Sequence, residues 1–162
     1  MKNVDVIQQK IFTREAIIFK LAQLRMLDRS VSFTNGCFDI LHRGHIFSLS
    51  QAAKEADFFI VGINSDASAK KLKGEGRPVN DEQSRALIMA SLLIVDAVVI
   101  FEEDTPLELI MAIQPDVLVK GGDYTLDQIV GSKEVIAHGG RVVINKIIEG
   151  FSTTGILEKL KK

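Results

Sequence analysis

His42 and His45 close the stretch Thr34-Asn35-Gly36-Cys37-Phe38-Asp39-Ile40-Leu41-His42-Arg43-Gly44-His45. Three residues apart on the first turn of a helix, their rings share one side. The residues ahead, Val31–Thr34, read as a strand, so the chain passes from strand through a glycine loop into a helix. That junction turns free backbone N–H groups and the positive end of the helix toward one space, where an anion binds. Gly44 leaves room for a ligand to approach the backbone. Two imidazoles could also begin a metal site, but such sites use three or four ligands. The third histidine, His138, is far along the chain and Cys37 has no companion. Phosphate binding is the better account, and no metal site is assigned. The donors would be the loop Thr34, Asn35, Gly36, Cys37 and Phe38 with the two histidines. Asp39 would orient the loop or a substrate hydroxyl.

Four further segments carry chemistry or a plainer local role. Asn64-Ser65-Asp66 leads to Lys70, Lys71, Lys73 and Arg77, with Gly74 and Gly76 among them. This reads as a flexible basic loop, either a solvated charge run or a lid over anionic substrates. Asn80 is the expected N-cap of the next helix. Arg85, a turn further on, faces either solvent or a substrate. In Lys120-Gly121-Gly122-Asp123-Tyr124, paired glycines admit a flat or charged group and Asp123 offers an acceptor, unless the segment is only a tight turn. Ser152, Thr153 and Thr154 open the last helix, as caps or as phosphate ligands.

The elements that must position these groups alternate. Strands are expected at Val31–Thr34, Asp57–Ile63, Ala97–Phe101, Asp116–Val119 and Arg141–Ile144, all continuous apolar runs of the kind buried on both faces. Helices are expected around Gly44–Ala56, Asp81–Ile94, Pro106–Ile113 and Ser132–His138, and from Thr153 onward. This pattern predicts an α/β fold: a doubly wound, five-stranded parallel sheet with right-handed crossovers, Rossmann-like. Ile17, Leu21, Leu24 and Leu27 mark one face of a helix over Thr13–Leu27 that packs on the sheet. Residues 1–28 are therefore read as an N-terminal arm and helix, the arm free or a dimer contact, and residues 29–162 as the domain. Open parallel sheets bind ligands beyond the carboxyl ends of their strands. The histidine segment, Lys120–Tyr124 and Glu149–Thr154 all fall there.

The bulk numbers remove other classes. A chain of 162 residues with net charge −1 holds one ordinary domain and has no global field for nucleic acid or acidic membranes. An anionic ligand must be held by a local cluster. One cysteine suits a reducing cytoplasm. No signal-like N-terminus and no apolar run near the roughly 20 residues of a membrane span are present. A cytoplasmic protein without membrane or nucleic-acid partners is expected.

The string TNGCFDILHRGH resembles the first signature of the HxGH nucleotidyltransferase superfamily, which includes cytidylyl- and adenylyltransferases. The order SDASAKKLKGEGRPVN, FEEDTP, VKGGDY, GSKEV and STT is similar to that of the heptose 1-phosphate adenylyltransferases over roughly Thr13 to Leu160. The resemblance implies that His42 and His45 bind nucleotide phosphates and stabilise the transition state, helped by a loop lysine, Lys71 or Lys73. It implies nucleotide binding by Thr34–Phe38, Lys120, Gly121, Asp123, Ser152, Thr153 and Thr154. Asp39, Asn64, Arg77, Arg85, Gly122 and Tyr124 would meet the second substrate. The implied substrates are ATP and a sugar 1-phosphate, with Mg²⁺ carried on the ATP and no dedicated protein site. The implied products are ADP-heptose and pyrophosphate, for lipopolysaccharide or surface-glycan precursors. A homodimer and a single-function form without a kinase domain are further expectations. The rival readings are a cytidylyltransferase acting on glycerol phosphate or another small alcohol phosphate, and a nucleotide-binding module without catalysis.

Overall fold

The computed structural model describes residues 5–146 together with Thr153, Gly155 and Ile156. In chain order the elements are α1 (Asp5–Gln8), β1 (Ile11–Phe12), α2 (Arg14–Arg25), β2 (Val31–Gly36), α3 (Arg43–Ala53), β3 (Phe58–Asn64) and α4 (Asp66–Lys73). There follow α5 (Glu82–Ser91), β4 (Ala97–Phe101), α6 (Leu107–Ile113), β5 (Val117–Gly121), α7 (Ser132–Ala137) and β6 (Arg141–Asn145). The predicted last helix lies almost wholly outside the described residues.

The strands form one parallel sheet in the order β1-β4-β3-β2-β5-β6. Alternation along each strand feeds two cores. Phe59, Val61 and Ile63 of β3, Val98 of β4 and Val117 and Val119 of β5 pack with Leu49 of α3 and Ala86 and Met89 of α5. Val31 and Phe33 of β2, Ile60, Val99, Phe101 and Leu118 pack on the other face with Ile17 and Leu21 of α2 and Leu109 and Ile113 of α6. Each such large side chain, fully enclosed, contributes about 1.5–3 kcal/mol. The amino ends of the strands are tied by aspartates: Asp116 accepts the Val31 N–H at 2.7 Å and Asp96 that of Phe59 at 2.8 Å.

The sheet has six strands where the sequence predicted five. Ile11 and Phe12 pair with Val98 and Val99, and two residues are too few to show either period in the sequence. The Lys10 carbonyl accepts the Val98 N–H at 2.8 Å, and its ammonium bonds the Val95 carbonyl at 2.7 Å. Part of the expected arm thus closes the outer edge of β4. A second difference is α4, over residues read as a flexible loop. Ser65 caps it by accepting the Ser68 N–H. Its buried residues are the small Ser68 and Ala69, so no apolar stripe announces it. The helix after the loop begins on Asp81, which accepts the Ser84 N–H at 2.8 Å, not on Asn80.

Candidate active site

β2 pairs with β3 along its whole length but with β5 only through Ser32 and Phe33. Beyond Phe33 the strands part, and the sheet winds in opposite senses on either side of the gap. β2 and β5 each run two residues further than expected, which brings Asn35, Gly36, Lys120 and Gly121 to the parting. Side chains bridge it: Thr34 Oγ1 donates to the Val119 carbonyl at 2.8 Å, and Lys120 Nζ to Asn35 Oδ1 at 3.1 Å and to the Asn35 carbonyl at 3.4 Å. Over this gap lies a cavity of about 400 Å³, within the usual range for a small-molecule site.

The histidine pair lines this cavity, with both rings on one side of the helix start. His42 is the N-cap of α3, and its ring stacks on His45 with centroids 3.8 Å apart and planes at 22°. Phe38 meets His45 edge-on at 5.5 Å. Burial pushes both imidazoles below their ordinary pKa, His45 to about 4, where the neighbouring His42 adds to the effect. Both are therefore neutral near pH 7. Nδ1 of each ring is buried without a hydrogen-bond partner among the described residues, and the two residues line the cavity with their remaining ring surface. Thr153, from the predicted Ser152–Thr154 segment, lines the same cavity and donates to the Ile40 carbonyl at 3.3 Å.

Cations surround the pair. Lys73, Arg77, Lys120 and Lys146 line the cavity against one carboxylate, Asp39, so a chain of net charge −1 gathers positive charge at one place. Burial pulls the Lys120 ammonium below the usual lysine range. Burial likewise pushes the Cys37 thiol up, which leaves it a poor nucleophile at neutral pH. For Asp39, burial is outweighed by the N–H groups of Asn80 and Val79 and by Arg77, and the carboxyl lies below its ordinary range. Thr34, Asn35, Gly36, Cys37, Phe38, Gly121 and Tyr124 complete the expected residues that the fold assembles here.

Several expected residues point elsewhere. Lys71 lies two helical positions before Lys73, roughly 200° around the axis, and pairs with Asp104 at 2.7 Å on the exposed side. Asn64 is buried under the site, donating to Ser68 Oγ at 2.9 Å. Gly122 and Asp123 stand outside the cavity lining, Gly122 buried and Asp123 exposed. Ser152 and Thr154 lie outside the described residues. Arg85, expected to face solvent or substrate, is fully buried. Its guanidinium donates to the carbonyls of Cys37 at 2.7 Å and Asn80 at 3.0 Å and to Asp66 Oδ1 at 2.8 Å. By peptide planarity the Phe38 N–H points opposite to the Cys37 carbonyl that Arg85 holds. Arg85 thereby fixes the direction of one loop donor without touching the cavity.

The sequence reading missed Ser48 and Lys146, both in the lining. Ser48 is one turn after His45 on α3, a position the helical period gives once His45 is placed. A Cβ on Gly121 would fall 2.8 Å from Ser48 Oγ, so this glycine lets α3 press against the end of β5. Lys146 follows Asn145, which pairs with Gly121 in the sheet.

Residues 33–159 match the model of the cytidylyltransferase-like family. The chain belongs to that family. Among curated relatives, bifunctional protein HldE of Koribacter versatilis is 52% identical over 158 residues, 98% of this chain and 32% of that protein. The HldE of Mesorhizobium japonicum is 58% identical over 132 residues, 82% of this chain and 27% of that protein. The chain spans about a third of the length of these relatives. Among solved structures, the lipopolysaccharide core biosynthesis protein from Thermoplasma volcanium superposes with a TM-score of 0.62 at 28% identity, covering 74% of this chain and 97% of that one. Pantoate–β-alanine ligase from Francisella tularensis shares the fold, with a TM-score of 0.56 at 16% identity over 93% of this chain and 76% of its own. Among the described residues no helix is long and apolar enough to cross a membrane.

Proposed function

We propose that this chain transfers an adenylyl group from ATP to a heptose 1-phosphate, giving ADP-heptose, a precursor of lipopolysaccharide or surface glycan, and pyrophosphate. The observation that carries the reading is the stacked, neutral histidine pair at the start of α3, ringed by four cations. Identity above half to the HldE proteins supports the choice of acceptor. A sugar-phosphate oxygen is already ionised at neutral pH, so the reaction needs no general base. That oxygen bonds to the α-phosphorus as the bridge to the β-phosphate breaks, and the electron pair leaves with pyrophosphate. Catalysis rests on bringing two anions together and stabilising the charge that gathers on the transferring and leaving groups. His42 and His45 donate N–H groups to those oxygens, and the loop N–H groups, Lys73 and Lys120 add to them. Each imidazole becomes easier to protonate as phosphate charge collects beside it.

Magnesium belongs to this reading as a companion of the ATP phosphates. Among the described residues the one carboxylate in the cavity lining, Asp39, is taken up by Arg77 and the N–H groups of Val79 and Asn80, which supports a magnesium held by the nucleotide. We extend the proposal to a homodimer in the cytoplasm, supported by the resemblance and by the single cysteine; sedimentation velocity tests the first.

The test is pyrophosphate release from ATP and from CTP, each with heptose 1-phosphate and with glycerol 3-phosphate. Release with ATP and the heptose alone is the expected result. Family membership favours a second reading, cytidylyl transfer to a small alcohol phosphate, and release with CTP would install it. Nucleotide binding with no release in any arm would leave a binding module.

A further inference from the structure

The Asp39 side chain is 1% exposed, yet it is charged and fully engaged. Its carboxylate accepts the N–H groups of Val79 and Asn80, both at 2.9 Å, and Nε of Arg77 at 2.7 Å. Its carbonyl accepts Nδ2 of Asn80 at 2.7 Å. Residues 77–80 are thus folded around one carboxylate. Upstream the restraint ends: Gly74 and Gly76 have φ of +88° and +77°, with open space where a Cβ would stand. Lys73, on one side of this joint, is carried by α4; Arg77, on the other, is carried by Asp39.

Arg77 gives only Nε to Asp39. Its two Nη groups have no hydrogen-bond partner among the described residues, and the side chain lines the same cavity as Lys73 and Thr153. A guanidinium held at Nε presents its Nη groups as a fixed fork, the geometry that meets a phosphate at two oxygens. The buried carboxylate has a further effect. Without it, Arg77 would stand among Lys73, Lys120 and Lys146, and like-charge repulsion would favour turning it outward.

We propose that Asp39 is a positioning residue acting through Arg77, whose Nη fork receives a substrate phosphate on the α4 side of the cavity. The inference rests on the proposed transferase reading for its substrate. The shared ligand chemistry is a tetrahedral phosphate, supplied by either the acceptor sugar phosphate or the nucleotide. The two sources differ in which KM changes.

The test is a double-mutant cycle of Asp39→Asn and Arg77→Ala, with thermal melts to establish folding. Each single change is expected to lower kcat/KM about 10- to 100-fold, the range for a lost charge-assisted contact. The double variant is expected to be no worse than Arg77→Ala alone, because Asp39 has nothing left to position. A merely structural Asp39 would multiply the two losses, and that result overturns the proposal. Arg77→Lys keeps the charge but cannot hold Asp39 and offer a fork together, so it is expected not to rescue. Wild-type kcat/KM in Arg77→Lys would overturn the proposal even where Asp39→Asn fails to fold. Calorimetric binding of inorganic phosphate to the same variants separates the two readings. Absent turnover with phosphate affinity lost non-additively defeats the transferase alone; phosphate affinity unchanged in Arg77→Ala defeats this proposal alone.

Discussion

Burial, with His42 beside it, pushes His45 down to about 4 from an ordinary 6.5, and this has a measurable cost in acid. As pH falls below 6.5, the unfolded chain takes up a proton on this ring that the folded protein refuses until pH 4. Because the folded pKa is the lower one, stability declines with falling pH across that window and the decline stops below it. Between pH 7.5 and pH 5 the linkage works out at about 2 kcal/mol. Water reaching the partly exposed ring makes that a ceiling. At a urea slope of about 2 kcal/mol/M, the midpoint moves down by roughly 1 M. Urea melts of the wild type and of His45→Gln at pH 7.5, 6.5, 5.5 and 5 read the effect directly. Glu15, Asp39, Asp57, Asp81 and Glu103 are all held below their ordinary range, and what they add near pH 5 is shared by the two proteins and cancels in the comparison. The wild type should lose stability more steeply than the variant, whose remaining slope reports His42, shifted in the same direction. Parallel loss in the two proteins would refute the claim that His45 is buried neutral.

Other substitutions separate the site from its scaffold. Alanine at His42 or His45 should reduce turnover about 10²–10³-fold in a pyrophosphate-release assay, the scale of a lost transition-state donor. Lys71→Ala, breaking an exposed pair, should change stability by less than about 0.5 kcal/mol and leave kcat/KM unaltered, whereas Lys73→Ala should lower kcat/KM about tenfold or more. Arg85→Met strands the Cys37 and Asn80 carbonyls and should cost about 2–6 kcal/mol, a fall in melting temperature of about 4–24 °C by calorimetry. Gly121→Ala sets a methyl 2.8 Å from Ser48 Oγ and should cost about 1–3 kcal/mol in a urea melt, with part of the loss recovered by adding Ser48→Ala.

What could be read in advance followed from how loudly each residue type announces its place. The long strands are runs of Val, Ile and Phe that only a sheet covered on both faces can hide, and their carboxyl ends led directly to His42, His45 and Lys120. The assignments that failed needed register or context. Whether Lys71 or Lys73 faces the cavity depends on α4 being a helix, and its buried Ser68 and Ala69 give no apolar signal. Arg85 carries a charge usually found in water, and only its three acceptors, from three separate segments, explain its burial. Asn80 and Asp81 are both good caps, and the choice between them was made by Asp39, distant in sequence.

The short β1 strand has a consequence for how this chain can be trimmed. A protein cut to begin at residue 29, where the sequence pattern sets the domain boundary, would lose Lys10, Ile11 and Phe12 along with α2. The backbone of Val98 and Val99 would then lie open along a bare, strongly apolar edge. Such an edge invites pairing with a second molecule. The shortened protein should therefore be prone to self-association even with every cavity residue intact.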